Sequence, residues 1–281
     1  QSLLLGLGAL AGNAEGNQES AVSERGEYYT EPPKNLPVRR FDVVVAGAGT
    51  AGVVAALAAA RRGASTILIE WKGYPGGTAT EGGTALHSFY NLWKAFPGVE
   101  KRQVVKGIAQ EIVDRLIKVG GTSGHAEMSI GYDYDSVCTA IDVEMYKLVT
   151  FELLVEAGVN VCVNTLVAGA IMDSSRIRGV IAESRSGREA IYAKSFVDCT
   201  AYGDLAAFAG AKYSEPNDYE VANSVGVAGV DLDKVAEYVE AFGGATSLAL
   251  GFHDGVPGKV VRLSGPKGGK AGLLITTVRD N

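Results

Sequence analysis

The chain has little of what staples small secreted folds or cages metal ions: 3 cysteines and 3 histidines in 281 residues. Cys138, Cys162 and Cys199 are odd in number, form no CxxC and show no metal-ligand spacing, which excludes a disulfide framework and a zinc site. Cys162 and Cys199 fall in apolar, strand-like runs and read as buried, inert thiols. His87, His125 and His253 are too scattered to form a cluster. There is no cluster of lysine and arginine, and the net charge is −6, which argues against a nucleic-acid partner. Arg39-Arg40 reads as a solvated strand entry. No apolar run is long enough for a stable membrane span; Leu3 to Ala11 falls short of a bilayer. No internal repeat is visible. What remains is ordinary for a globular protein, with 47% hydrophobic and 21% charged residues. Its length allows one or two domains with a real core.

The glycines, 37 of them, carry the first functional signal. The run Val43-Val44-Val45-Ala46 is a buried-strand pattern that breaks into Gly47-Ala48-Gly49-Thr50-Ala51-Gly52, a Gly-x-Gly-x-x-Gly. A helix-like segment, Val53 to Gly63, follows. Then comes a second strand, Thr66-Ile67-Leu68-Ile69, closed by Glu70. This order is a dinucleotide-binding βαβ unit. Gly47 permits the tight turn, Gly49 lets the backbone approach a pyrophosphate, and Gly52 lets the helix pack against the strand. The helix N-terminus then presents its N–H groups to phosphate. Glu70 stands where an acid accepts hydrogen bonds from a ribose hydroxyl.

Beyond Glu70, Trp71 leads into Gly76-Gly77-Thr78-Ala79-Thr80-Glu81-Gly82-Gly83. Two glycine pairs so close together predict a loop lying against a ligand rather than a packed helix or strand. Residues 102–119 have helical spacing at Val104, Val105, Ile108, Ile112, Leu116 and Ile117. Residues 120–135 read as loop. Residues 142–156 are helical again and end at Gly158. A third core strand is expected over 160–165. A three-stranded antiparallel meander follows at 167–172, 178–183 and 190–193, with turns at Asp173-Ser174-Ser175 and Ser186-Gly187-Arg188. A separate return strand, Ser195 to Thr200, breaks into Ala201-Tyr202-Gly203-Asp204 and a small-residue helix at 205–211. A nicotinamide dehydrogenase uses a helix at that crossover, so the meander favours FAD.

These residues carry a resemblance. The chain resembles the FAD-dependent oxidoreductase family of the glutathione-reductase-like flavoprotein fold, related to fumarate reductase flavoproteins and thiazole-synthase-like proteins. The resemblance covers residues 40–215, through the glycine motif with Glu70, the Gly76 to Thr80 loop and Val197-Asp198-Cys199-Thr200-Ala201-Tyr202-Gly203-Asp204. It implies an α/β fold: a Rossmann-like FAD-binding domain with a parallel sheet and an antiparallel β-meander crossover, plus the start of a second, substrate domain. It implies FAD as cofactor. Gly47, Gly49, Thr50, Ala51 and Gly52 would lie under the pyrophosphate, and Glu70 with Trp71 at the adenosine. Gly76, Gly77, Thr78, Ala79 and Thr80 would run toward the flavin, with Gly82 and Gly83 near its ring. Val167 would meet the adenine through its backbone, and Thr200, Ala201 and Asp204 would close over the adenosine end. Two positions depart from the family pattern: Ala201 stands where glycine is usual, and Tyr202 where aspartate is common. An alanine there is comfortable only at an ordinary backbone angle.

The domain expectations follow. Residues 39–215 form the FAD-binding domain, and 216–281 a partial substrate or cap domain with a helix at 235–242 and strands at 259–263 and 272–278. The late strand and Gly-Asp turn that complete the flavin site in this fold are missing after Asp204, so a further segment or a second chain is expected to complete it. Residues 1–14 resemble the tail of a signal peptide cleaved after Ala14, without its charged start. A short amphipathic helix is the alternative. The first reading places the protein outside the cytoplasm, periplasmic or extracellular; the second leaves it cytoplasmic. Residues 15–38 read as a linker or extended arm.

The leading functional expectation is a flavoenzyme moving a hydride or two electrons between FAD and a small-molecule substrate, electron donor or acceptor. Two alternatives stand beside it: a non-catalytic flavin- or nucleotide-binding subunit of a larger assembly, and a thiazole-synthase-like sulfur donor using Cys138. No acid–base pair can be assigned from the sequence. His87 follows the flavin-side loop, either approaching the ring or simply satisfied within the loop. His253 and Arg262 fall in the substrate part.

Overall fold

The computed structural model describes residues 29, 31–82, 86–87, 103–127, 137–214, 225–227, 247–253, 256–264 and 275–277. The chain forms two compact units, Gln1–Asn35 and Leu36–Asn281. The leader-like residues 1–14, the arm up to residue 28, Gly83 and the helix expected at 235–242 lie outside the described residues.

The second unit opens with strand β1 (Val38–Ala46), helix α1 (Thr50–Arg61) and strand β2 (Thr66–Ile69). A one-turn helix α2 (Thr78–Glu81) and a short strand β3 (Leu86–His87) follow. Next come α3 (Ile108–Lys118), β4 (His125–Glu127), β5 (Val137–Ala140) and α4 (Val143–Glu156). Then β6 (Asn160–Cys162), β7 (Thr165–Asp173), β8 (Arg176–Ser184), β9 (Gly187–Asp198) and α5 (Asp204–Phe208) complete the main body.

Six strands form one sheet in the order β6-β2-β1-β9-β8-β7. The first four are parallel, and the last three form an antiparallel meander. Side chains alternate across the strands. Val45 and Leu68 pack with Val53 and Leu57 of α1, Ile112 and Leu116 of α3, and Leu153 and Leu154 of α4. Val44, Ala46, Ile67 and Ile69 pack instead with Val167, Val180, Ala182 and Ile191 of the meander and with Leu205. The sheet therefore folds back on itself, with helices covering one face of the parallel part and the meander the other. Burial on both faces is why β1 and β2 read as unbroken apolar runs.

The meander's third strand and the return strand are one strand, not two. Val38 to Ala46 pair with Ala190 to Asp198, while Gly187 to Tyr192 pair with β8. The polar Lys194-Ser195, where the two expected strands met, is an exposed part of β9. Both residues are exposed, and the Lys194 ammonium reaches the Asp42 carboxylate at 2.6 Å.

Three further expectations are corrected. The glycine-flanked segment contains a helical turn, because four non-glycine residues separate Gly77 (φ +55) from the closing Gly82. Helix α3 begins at Ile108, since Gly107 at φ +69 breaks the chain before it. Strand β4 falls inside the segment expected to be loop and pairs with β5. Helix α4 follows the sequence closely. Asp142 caps it, accepting from the N–H groups of Glu144 and Met145 at 2.9 and 3.0 Å, a contribution of about 1 kcal/mol. Gly158 at φ +75 ends it.

The late strands are β10 (Val225–Val227), β11 (Ser247–His253), β12 (Val256–Ser264) and β13 (Ile275–Thr277). β12 spans the strand expected at 259–263, and β13 lies within the one expected at 272–278, whose other residues are outside the described ones. β11 pairs antiparallel with β12, and β10 pairs parallel with β13.

Candidate functional site

Because β1, β2 and β9 are parallel, their carboxyl ends share one edge of the sheet. The chain leaves β1 toward β2 on one side, and β9 returns on the other. Such a switch point opens a crevice in α/β sheets, and a cleft of about 830 Å³ lies there. That is within the roughly 300–1,000 Å³ of small-molecule and cofactor sites.

The floor is built by glycines. Gly47 turns off β1 at φ +91, and its N–H donates to the Ile69 carbonyl at 2.8 Å. A Cβ at Gly52 would overlap the Gly47 carbonyl, so this glycine sets how closely α1 approaches β1. Gly49 precedes α1 with extended backbone and offers no side-chain cap. The first-turn amides of α1 are therefore open to an external acceptor. Against Gly49 lies the second glycine segment. Gly76 donates to the Ala48 carbonyl at 2.8 Å, and a Cβ on Gly77 would come within 2.7 Å of the Gly49 Cα.

Glu70 is buried, 5% exposed, at the end of β2. One carboxylate oxygen accepts from the Ala48 N–H at 2.7 Å, the other from the Lys72 N–H at 2.8 Å. Each oxygen keeps a further lone pair, so the same group that fixes both glycine-bearing turns retains acceptors for a hydroxyl. Beyond it, Lys72 pairs with Glu81 at 3.3 Å, and the Tyr74 hydroxyl donates to the same carboxylate. The Tyr74 hydrogen bond and then Lys72 hold the Glu81 carboxyl below its ordinary range despite burial. These contacts tie the 71–75 segment to α2.

The opposite wall is the segment after β9. Asp198 accepts from the Thr200 N–H and hydroxyl at 3.1 and 2.7 Å, and from the Ala206 N–H at 2.9 Å. Ala201 has φ +72. Its backbone angle is therefore not ordinary, and an alanine occupies a conformation that glycine holds without strain. Tyr202 is 91% exposed on this wall, facing an edge that also carries Trp71 and Leu166.

Of the residues singled out in the sequence, Gly47, Gly49, Thr50, Ala51, Glu70, Trp71, Gly77, Thr78, Thr80, Gly82, Val167, Thr200, Ala201 and Asp204 line this one cleft. Gly52 and Gly76 lie behind its wall, and Ala79 turns into the core. The sequence reading gave no site role to Lys72, Tyr74, Glu81, Leu166, Asp198 and Cys199, which also line it, as does Tyr202, noted there as a departure from the family pattern. Glu81 had a legible signal, as the single charge in an otherwise neutral glycine–threonine run.

The other candidates stand apart. Cys199 lines the cleft, and burial pushes its thiol up. Cys138 and His87 have described backbones only; His87 pairs with Thr139 in register. His125 is not in the cleft. Its Nδ1 meets the Thr139 hydroxyl at 2.6 Å and its Nε2 the Gln110 carbonyl oxygen at 2.9 Å, and burial pushes its pKa down. Among the described residues no group of histidine, cysteine, aspartate or glutamate is placed to hold a metal ion. No helix among them is long and apolar enough to cross a membrane.

The donor set fits a dinucleotide: an uncapped helix N-terminus, two glycine turns with room for close approach, and a carboxylate with spare acceptors at the end of β2. The family match agrees. Residues 42–251 match the FAD dependent oxidoreductase family. A 3-oxosteroid 1-dehydrogenase of Mycobacterium tuberculosis is 55% identical over 49 residues, which are 17% of this chain and 9% of that enzyme. A geranylgeranyl bacteriochlorophyll reductase-like protein of Thermoplasma acidophilum is 19% identical with a TM-score of 0.46, covering 62% of this chain and 43% of that one. A flavocytochrome c3 fumarate reductase is 18% identical with a TM-score of 0.40, covering 58% and 34%. The chain thus spans less than half the length of each of these relatives.

Proposed function

The chain belongs to the FAD dependent oxidoreductase family, with FAD as its cofactor, and from that premise we propose that the cleft at the ends of β1, β2 and β9 grips the ADP half of FAD for an oxidoreductase reaction on a small molecule. The observation that carries this is the meeting of Gly49, Gly77 and Glu70. The uncapped α1 N-terminus lies directly beside a glycine-to-glycine contact, with a buried carboxylate behind it.

Each group has a separate task. The first-turn amides of α1 take the pyrophosphate oxygens, with the helix dipole adding favourable potential. Glu70 accepts the ribose hydroxyls while bracing the Ala48 and Lys72 amides. Trp71, Leu166 and Tyr202 offer apolar surface to the base. Thr78, Thr80 and Gly82 line the route along α2 toward the ring. Lys72 and Tyr74, held by Glu81, keep that route's outer wall in place. When bound, FAD supplies the two-electron chemistry; the chain supplies binding, orientation and shielding. The match to the steroid dehydrogenase covers too little of that enzyme to carry its substrate over.

The test is direct. The purified protein should show flavin absorbance, or acquire it on reconstitution with FAD, and ADP should compete. Bleaching of the bound flavin by a reduced donor under anaerobic conditions then distinguishes an oxidoreductase from a subunit that only carries the cofactor. A protein that binds neither FAD nor ADP overturns the reading.

A further inference from the structure

The wall formed by residues 199–203 has no regular structure, and it holds two residues at positive φ, Ala201 at φ +72 and Gly203 at φ +74. A non-glycine residue at positive φ is disfavoured and stays there only when its surroundings enforce it. The bonds around this turn run through one carboxylate. Asp198, the last residue of β9, reaches across the turn in both directions. One oxygen takes the Thr200 N–H at 3.1 Å and the Thr200 hydroxyl at 2.7 Å. The other takes the Ala206 N–H in the first turn of α5 at 2.9 Å. The Thr200 hydroxyl in turn accepts from the Asp204 N–H at 2.8 Å. Residues 200–204 are thus pinned at both ends through one carboxylate.

Gly203, the N-cap of α5, has no side chain with which to cap it. Asp198, upstream of it in the chain, fills that role by accepting from the Ala206 N–H. Partial burial would raise its pKa, but the bonds from Thr200, Ala206 and Leu205 outweigh this and hold the carboxyl below its ordinary range. An ionised carboxylate accepts at two oxygens and donates nothing. An asparagine offers one acceptor oxygen and would turn an N–H toward a donor. Asp198 is therefore matched to this set of donors in a way its isostere is not.

We propose that Asp198 is a positioning residue for cofactor binding. It holds Ala201 in its left-handed conformation, so that Thr200, Ala201 and Tyr202 form the wall over the adenosine end of FAD. This rests on the reading of the cleft as the FAD site.

The test compares FAD and ADP affinity in the full chain, as wild type, Asp198→Asn, Ala201→Gly and the double variant. Asp198→Asn should weaken FAD and ADP by the same factor, about tenfold, because the lost wall serves only the part the two ligands share. At saturating FAD the visible spectrum of the bound flavin should be unchanged. Ala201→Gly alone supplies the reference against which the double variant is read. In the double variant it should recover most of the lost affinity, since glycine holds positive φ without enforcement; a merely structural role for Asp198 predicts no such rescue. Thr200→Val, which removes the bridge to Asp204, should reproduce the defect and serves as the second probe if Asp198→Asn does not fold. Equal affinities in wild type and Asp198→Asn, or a loss that Ala201→Gly leaves untouched, overturn the proposal. If wild type itself binds neither FAD nor ADP, it is the assignment of the cleft that fails.

Discussion

Gly49 and Gly52 lie three residues apart in one motif, yet the structure gives them different jobs, and replacing each by alanine separates the two. Gly49 has φ −62 and ψ −179, which any residue adopts, and the nearest atom to an added Cβ is the Gly77 Cα at 3.9 Å. The apo protein can therefore accept Gly49→Ala. The small gain from a stiffer unfolded chain and the small loss at a helix cap leave a net change within about 0.5 kcal/mol. The methyl group would instead stand where the pyrophosphate must approach the backbone. Pushing the phosphates outward weakens one or two charge-assisted hydrogen bonds to the α1 amides, each worth roughly 1.5–3 kcal/mol. FAD affinity should then fall by about 10- to 100-fold or more. Gly52→Ala is the opposite case. Its Cβ would overlap the Gly47 carbonyl, a backbone atom that cannot step aside without α1 leaving the sheet. The expected cost is about 3 kcal/mol or more before any cofactor is added. Thermal melts of the apo proteins and flavin-fluorescence titrations read the two effects separately. If Gly49→Ala binds FAD within twofold of wild type, the phosphates do not lie over Gly49, and the reasoning fails. If Gly52→Ala melts like wild type, the close packing of α1 is wrong.

Other consequences can be checked in the same protein. Ala201→Gly removes a left-handed strain of about 1–2 kcal/mol and returns about 0.4–1 kcal/mol of chain entropy, so the melting temperature should rise by a degree or two; a fall would contradict the observed φ +72. Glu70→Gln leaves a single acceptor oxygen for the Ala48 and Lys72 amides, and should cost about 1–3 kcal/mol of apo stability besides weakening FAD; an unchanged melt would show that these bonds do not brace the turns. Burial lowers the His125 pKa from 6.5 in the folded state, so the unfolded chain binds that proton first. The stability this neutral histidine contributes is full above pH 6.5 and is lost as pH falls below it; His125→Gln should flatten that part of a stability–pH curve, and a parallel curve would remove His125 from the account. Trp71 is 64% exposed on the cleft edge, so FAD should quench its emission, and Trp71→Phe should abolish that part of the response.

Much of the fold was readable because its signals are local. An apolar run, three spaced glycines, a helix pattern and a terminal acid lie within one stretch of chain. Each has a short-range physical reason, so Gly47 to Glu70 is legible as one unit in the sequence. Gly158 likewise marks the end of α4 by capping chemistry alone. Where the reading missed, the deciding contact was distant in sequence. β9 continues through Lys194-Ser195 because β1 pairs with it along its length, and neither residue announces that partner. α2 is the exception, a local turn from Gly77 to Gly82 formed where the glycines suggested only loop.

The amino-acid sequence alone determined the βαβ unit, the glycine turns, Glu70 at its end and the meander that distinguished FAD from a nicotinamide cofactor, since these follow from periodicity and backbone permissiveness within short windows. Only the tertiary structure decided that Gly77 lies against Gly49, that the Glu70 carboxylate accepts from the Ala48 N–H, and that the segment after β9 walls the same cleft. Those are meetings of segments brought to one edge by the parallel pairing of β1, β2 and β9, and no local pattern encodes which distant residue will be waiting there.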